Sequence, residues 1–264
     1  MSNKFAITKL HHADGFVSLF QHVKLFSEHI NIIFDEDKMY IQCMDPSKVS
    51  VFEIFLPKEW FDSYELVDNA SITIGISSNM LFKVLNTRDK KQDIHLSFDS
   101  EGERISIEFH CDDKNVYDKE FTLPLMDIES EIMSIPEMAS TADISLPSAN
   151  FASVVKDMKL FGDTLNLSCD QENLTMSANS DESGKMNVKI TTDDLTSYEI
   201  EEDAELNISY SLNILSNVSL YSKLSEHIHF HAKEGFPLKI VYELDSDIEA
   251  AKMVFFIAPK IDDE

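Results

Sequence analysis

Phe16-Val17-Ser18-Leu19-Phe20-Gln21-His22-Val23-Lys24-Leu25-Phe26 and Phe151-Ala152-Ser153-Val154-Val155-Lys156-Asp157-Met158-Lys159-Leu160-Phe161 read as two copies of one design. Each sets apolar residues at i, i+3, i+4 and i+7, namely Phe16, Leu19, Phe20 and Val23, then Phe151, Val154, Val155 and Met158. That is the spacing of one face of an amphipathic helix. Each copy closes on Lys-Leu-Phe. Outward from them, at the same offset of about 135 residues, Asn31 meets Asn166 and Asp35 meets Asp170. One residue off that register, Asn79 pairs with Asn213, Leu81 with Leu215, Ile94 with Ile228 and His95 with His229. The chain is therefore expected to fold as two structural halves. Duplicated halves suit a building block of a symmetric assembly, and a ring is the natural suspicion.

Helices are expected over 14–26 and 149–160, with a weaker pair over 79–87 and 212–224. Alternation or short apolar runs predict strands over 30–34, 38–42, 49–56, 71–76, 94–96, 104–110, 116–123, 165–169, 174–179, 185–191, 205–210, 228–230, 238–244 and 252–257. Acidic turns follow two of them, at Asp35-Glu36-Asp37 and Asp170-Gln171-Glu172. Many short strands with four helices predict an α+β fold with large antiparallel sheets. Residues 125–142 read as a connector between a domain of 1–124 and a domain of 143–264. The connector mixes acids with Leu125, Met126, Ile128, Ile132, Met133 and Ile135. Linkers usually run to Gly, Ser, Pro and charge, so these apolar residues need a surface to cover or to be covered by.

The 264 residues carry 48 acidic against 22 basic side chains, a net charge of −26. Such a surface repels a polyanion at long range, so nucleic-acid contact requires the few cations to gather on one face. Cys43, Cys111 and Cys169 are odd in number and widely spaced, which argues against disulfides or a zinc knuckle. Neither a secretory leader nor a membrane-spanning stretch is read, and a soluble, non-secreted protein is expected.

Several strings resemble the eukaryotic sliding clamp family, proliferating cell nuclear antigen. They are Met44-Asp45 with Lys48-Val49-Ser50, Leu125-Met126-Asp127 with Ile135-Pro136-Glu137, Leu146-Pro147-Ser148 with Phe151-Ala152, Phe161-Gly162-Asp163, and Ala258-Pro259-Lys260-Ile261-Asp262-Asp263-Glu264. They stand in family order and at family spacing over essentially the whole chain. The resemblance implies two similar clamp domains, with antiparallel sheets outside and four helices lining the interior of a homotrimeric ring. Such a ring encircles duplex DNA, is placed by a clamp loader, and tethers DNA polymerase and other replication and repair proteins. Edge strands at 116–123 and 185–191 would join neighbouring subunits. The expected location is the nucleus, or a viral replication site, since divergence elsewhere suggests a viral or protist member.

On this reading Lys24, Lys83, Arg88, Lys90, Lys156, Lys159 and Lys223 face DNA, with Lys91 beside them. Lys83 and Lys156 fall opposite the apolar stripes of their helices. Neutral residues at Val17, Ser18, Asn86, Ser153 and Asn213 replace family cations and thin the lining. The family's partner-peptide groove maps onto Met44, Lys48, Val49, Val51, Met133, Ile135, Pro136, Pro237, Phe256, Ala258 and Pro259. Lys48 stands where histidine is common, and Phe256 where a hydroxylated aromatic is usual. Gln171 occupies the place of the lysine that carries ubiquitin.

No cofactor, metal or catalytic residue is expected, and no P-loop, nucleophile elbow or H-E-x-x-H occurs. His227, His229 and His231 alternate on a strand and so share one face, a weak candidate for a metal. The alternatives are a monomeric or dimeric processivity factor of the same fold, or one subunit of a heteromeric checkpoint-type clamp.

Overall fold

The computed structural model describes residues 2–129 and 131–260. Ile261-Asp262-Asp263-Glu264, the end of the family-like terminal string, lies outside them. Two compact units interleave along the chain. One comprises Met1–Pro46, Glu53–Met133 and Leu244–Lys252; the other comprises Ser47–Phe52, Ser134–Glu243 and Met253–Glu264.

The first unit is built from β1 (Ser2–Ile7), α1 (Leu10–Gln21), β2 (His29–Phe34), β3 (Lys38–Met44), β4 (Ser50–Pro57), β5 (Ser63–Glu65), β6 (Ile72–Ser77), α2 (Ser78–Leu85), β7 (Asp93–Asp99), β8 (Arg104–His110) and β9 (Lys119–Pro124). Its strands run in the orders β5-β1-β7-β8-β9 and β4-β3-β2-β6, with Ser50–Phe52 of β4 counted in the second unit. The second unit is built from β10 (Ala142–Pro147), α3 (Ser148–Met158), β11 (Thr164–Cys169), β12 (Asn173–Ser180), β13 (Gly184–Thr191), β14 (Ser197–Ile200), β15 (Leu206–Ser211), α4 (Leu212–Ser219), β16 (His227–Ala232), β17 (Leu238–Glu243) and β18 (Lys252–Ile257). Its orders are β14-β10-β16-β17-β18 and β13-β12-β11-β15. Strand for strand, the two units have the same topology.

Alternation explains the sheets. On β7 and β8, Ile94, Leu96, Phe98, Ile105, Ile107 and Phe109 point inward and are buried, while their neighbours are exposed or half-buried. Phe16, Leu19 and Phe20 of α1 are buried in the first unit, where Phe5 stacks on Phe34 at 4.2 Å. In the second unit Phe151 meets Phe230 edge-on at 5.0 Å. Each such aromatic contributes about 1.5–3 kcal/mol by leaving water.

The repeat extends to hydrogen bonds. Asp35 Oδ1 accepts from the backbone N–H groups of Asp37 and Lys38, and Asp170 Oδ1 from those of Glu172 and Asn173. Over each turn lies the tyrosine of a Ser-Tyr-Glu strand. The Tyr64 hydroxyl is 2.9 and 2.6 Å from the carbonyls of Asp35 and Lys38; the Tyr198 hydroxyl is 2.6 and 3.4 Å from those of Asp170 and Asn173.

Some boundaries differ from the sequence expectation. α1 starts at Leu10, earlier than 14, because Asp62 Oδ2 accepts from the N–H groups of Thr8 and Lys9 and organises the entry. α4 stops at Ser219, short of 224, where the chain turns and buries Tyr221. β9 begins at Lys119, since Val116 closes a turn onto the carbonyl of Asp113. β1, β5, β10 and β14 were not expected.

Candidate functional site

The basic residues divide into free and engaged groups. Lys24, in the 3-10 turn Val23–Leu25, and Lys83, on α2, are exposed in the first unit. Lys156, on α3, and Lys223, in the turn after α4, are exposed in the second. Lys90 is exposed in the turn after α2. Lys159 is half-buried, with its Nζ against Asn213 Oδ1 and 3.8 Å from Asp163.

Arg88 corrects the expectation. Its side chain is only 3% exposed, with Nη1 2.7 Å from Asp14 Oδ1, Nε 2.6 Å from the Gln92 carbonyl and Nη2 3.3 Å from the Lys90 carbonyl. Enclosed and with all three nitrogens hydrogen-bonded within the protein, it braces the end of α2 and is not displayed for a phosphate. Lys91 is likewise paired, 2.7 Å from Asp113. The polar helix faces carry neutral groups between the lysines, including Asn86, Ser153 and Asn213.

Of the expected groove residues, Met44 and Met133 belong to the first unit. Gln42, one strand repeat before Met44, brackets the connector there: its Nε2 donates to the Met133 carbonyl at 2.9 Å, and its Oε1 accepts from the Met133 N–H at 2.7 Å. An amide side chain thus supplies the pair of bonds a neighbouring strand would make. The root of the connector is stitched earlier. Met126 N–H donates to the Gly75 carbonyl at 2.8 Å, and Asn31 Nδ2 to the Ile128 carbonyl at 2.9 Å. A side chain at Gly75 has no room, for its Cβ would lie 2.3 Å from the Met126 carbonyl oxygen.

The other groove residues belong to the second unit. Val49, Val51, Ile135, Phe256, Ala258 and Pro259 are half-buried, while Lys48, Pro136 and Pro237 are exposed. Val51 lies on the outward face of β4, whose alternate residues Ser50 and Phe52 are buried, so it is not a core residue. The Ala258 N–H donates to the Val49 carbonyl at 2.9 Å, joining two groove residues through the backbone. Lys48 sits at φ 59°, an uncommon conformation for a side chain with a Cβ. Gln42 and Asn31 escaped the sequence reading. Asn31 was visible only as a repeat partner of Asn166, and Gln42 only as the end of the strand expected over 38–42.

Two of the three histidines of β16 have separate partners. His229 Nδ1 lies 2.6 Å from Ser145 Oγ, and His231 Nδ1 2.5 Å from Asp143 Oδ1. Burial pushes the Cys43 and Cys169 thiols up to about 12, so neither is a nucleophile near neutral pH.

Among the described residues, the strands with a neighbour on one side only include β5, β6, β9, β13, β14 and β15. β5 and β14 are only three and four residues long. β6 is touched by Met126, and β15 by Lys260, whose N–H donates to the Ser209 carbonyl. β9 and β13 are long and have one neighbouring strand each. β13 alternates half-buried Met186, Val188 and Ile190 with exposed Lys185, Asn187 and Lys189.

Comparison with known proteins covers nearly all of the chain. Residues 7–132 match the family model of the N-terminal domain of proliferating cell nuclear antigen, and residues 134–260 match that of its C-terminal domain. The chain belongs to the proliferating cell nuclear antigen family. It is 26% identical over 250 residues to proliferating cell nuclear antigen of Dictyostelium discoideum, covering 92% of this chain and 95% of that one. Against the Saccharomyces cerevisiae protein it is 26% identical over 239 residues, covering 89% and 90%. A crystal structure of the protein from Entamoeba histolytica shares the fold, with a TM-score of 0.85 at 22% identity over 98% of this chain and 99% of that chain.

Membership makes the chain a DNA sliding clamp of the processivity-factor type, acting in DNA replication and repair, and not an enzyme. No described helix is long and apolar enough to cross a membrane.

Proposed function

We propose that three copies of the chain close into a ring around duplex DNA and tether polymerases to it. The observation that carries this reading is the pair of long open edges, β9 and β13, one in each unit. Their chemistry is complementary. β13 offers Lys185 and Lys189 around a half-buried apolar row, while β9 and the loop before it offer exposed Asp112 and Glu120 beside half-buried Phe121, with Lys114 and Lys119 among them. Pairing the two edges satisfies open backbone groups, and opposite charges favour the correct partner. The domain division is 1–124 and 143–264, with residues 125–142 as connector.

Inside the ring, Lys24, Lys83, Lys90, Lys156, Lys159 and Lys223 meet phosphates without reading sequence. The neutral residues between them keep that attraction weak, which suits sliding, and retention then comes from topology. Partner peptides, including those of polymerases, meet Met44 and Met133 of the first unit and Ile135, Pro237, Phe256 and Pro259 of the second with aliphatic and aromatic anchors. Methionines repack around different anchors. A clamp loader opens the ring, and the place of work is the nucleus, or a replication site if the source is viral.

The test is topological. Loaded onto a nicked circular duplex by a eukaryotic-type clamp loader, the chain should stay with the circle through gel filtration and leave it once the DNA is cut. Equal retention on circular and linear DNA contradicts encirclement. Lys83→Glu with Lys156→Glu should reduce loading while leaving the solution mass unchanged.

A further inference from the structure

His11 and His12 open α1 in a turn that its repeat partner lacks. On the repeat register, Leu10-His11-His12 stands where Ser145-Leu146-Pro147 closes β10, and α3 begins only at Ser148. His12 is 2% exposed. Its ring stacks on Trp60 at 4.6 Å and 15°, and its Nε2 lies 2.6 Å from Asp245 Oδ2. Its buried Nδ1 has no hydrogen-bond partner. His11 is exposed and brings its ring to 4.3 Å from that of His12.

Asp245 is held in place. Its Oδ1 accepts from the N–H groups of Asp247 and Ile248 at 2.7 and 3.2 Å, so Oδ2 stays aimed at His12. One ligand atom from each of His11, His12 and Asp245 lies within 4.8 Å of the other two. All three residues belong to the first unit, and neither the DNA face nor the partner groove uses them.

We propose that His11, His12 and Asp245 bind a divalent transition ion, with Zn2+ the best match. Two imidazoles and one carboxylate form an open zinc ligand set that leaves a fourth position for water. Ca2+ and Mg2+ require more oxygen ligands, and the absence of a thiolate disfavours Cu(I). The ion takes the place of the proton shared by Nε2 and Oδ2. With metal–ligand bonds of about 2 Å, those two atoms need to part only to about 3–3.4 Å. A neutral His12 keeps its proton by moving it to Nδ1, and an imidazolium releases one to water. The carboxylate offsets the cost of placing a cation at a helix N-terminus. The bound ion pins segment 244–252 to the first turn of α1.

Trp60 is the chain's sole tryptophan and lies against His12, so its emission responds to an ion held there. Full-length protein freed of metal by a chelator is titrated with Co2+ while tryptophan emission is followed. The expected result is saturable quenching at one Co2+ per chain, reversed by Zn2+, and binding weakened at least roughly tenfold in His11→Ala and Asp245→Asn. His11 is exposed, so His11→Ala should keep the parent's metal-free melting temperature. Absence of saturable quenching, quenching that Zn2+ fails to reverse, or a His11→Ala curve matching the parent's overturns the site.

Discussion

The segment that leaves β9 and the segment that leaves β18 each make an equivalent hydrogen bond to a strand edge, in different surroundings. Met126 N–H donates to Gly75, and Lys260 N–H to Ser209, at matching places on β6 and β15. In the second unit Ser209 Oγ donates to Asn166 Oδ1 at 2.7 Å, a side-chain pair on the sheet itself. In the first unit Gly75 has no side chain to offer. Asn31, the repeat partner of Asn166, donates instead to the carbonyl of Ile128, whose side chain fills the space a Cβ at Gly75 would need. A glycine in place of a serine turns a strand edge into a seat for the connector.

The strongest attack on that comparison is Gly75→Val. With its Cβ 2.3 Å from the Met126 carbonyl oxygen, the connector must move. A stability loss of about 1–3 kcal/mol by urea unfolding is expected, together with weaker binding of a glutamine-led aromatic peptide. Ser209→Val should leave peptide binding unchanged, and equal peptide losses at the two positions contradict the seat. Asn31→Ala against Asn166→Ala is gentler: each loses about 1 kcal/mol, but only Asn31→Ala should speed amide exchange in residues 126–133.

Tyr64→Phe and Tyr198→Phe probe where the units agree. Each removes one hydroxyl above an equivalent aspartate turn, so the two losses should match, at roughly 0.5–1.5 kcal/mol each. Unequal values would show that the turns differ in more than sequence.

The smallest effect belongs to the first unit alone. His110 is held above the ordinary histidine range, first by its hydrogen bond to Asp118 and then by that to Glu108. A raised folded value stabilises fully below the unfolded pKa, near 6.5, and that contribution is lost as pH rises through the folded value. Asp118→Asn should lower the His110 pKa seen by NMR, and an unchanged titration contradicts the assignment.

The sequence reading captured the repeat, the four helices and most strands, because apolar spacing alone carries them. The four strands it missed form two repeat-related pairs. β1 hides because an inward place is held by Asn3, buried and bonded to the Phe98 carbonyl, so apolar alternation breaks. β10, its partner, runs Ala-Asp-Ile-Ser-Leu-Pro, with Ser145 buried among its apolar residues and a closing proline. β5 and β14 are too short for any period to show. Among the candidate site residues, Lys83 and Lys156 were legible as polar-face cations and Lys90 as a cation after α2, while Lys24 and Lys223, expected on helices, sit in turns beyond them. The enclosure of Arg88 was not, since Asp14 reaches it from another helix and Gln92 from a turn. The same limit hid Asn31, Gln42 and the cluster of His12 with Asp245, each a side chain meeting a group far along the chain.

The central claim is that β9 of one copy pairs with β13 of the next until three copies close. Light scattering coupled to size-exclusion chromatography, across a concentration series, tests it most directly. The prediction is a species of about three times the 30.1 kDa chain, reduced to single chains by one of the adjacent substitutions Asn187→Pro and Val188→Pro, since N–H groups along β13 alternate between β12 and the open side. A parent protein that stays at the mass of one chain at every concentration contradicts self-closure and assigns the open edges to other subunits.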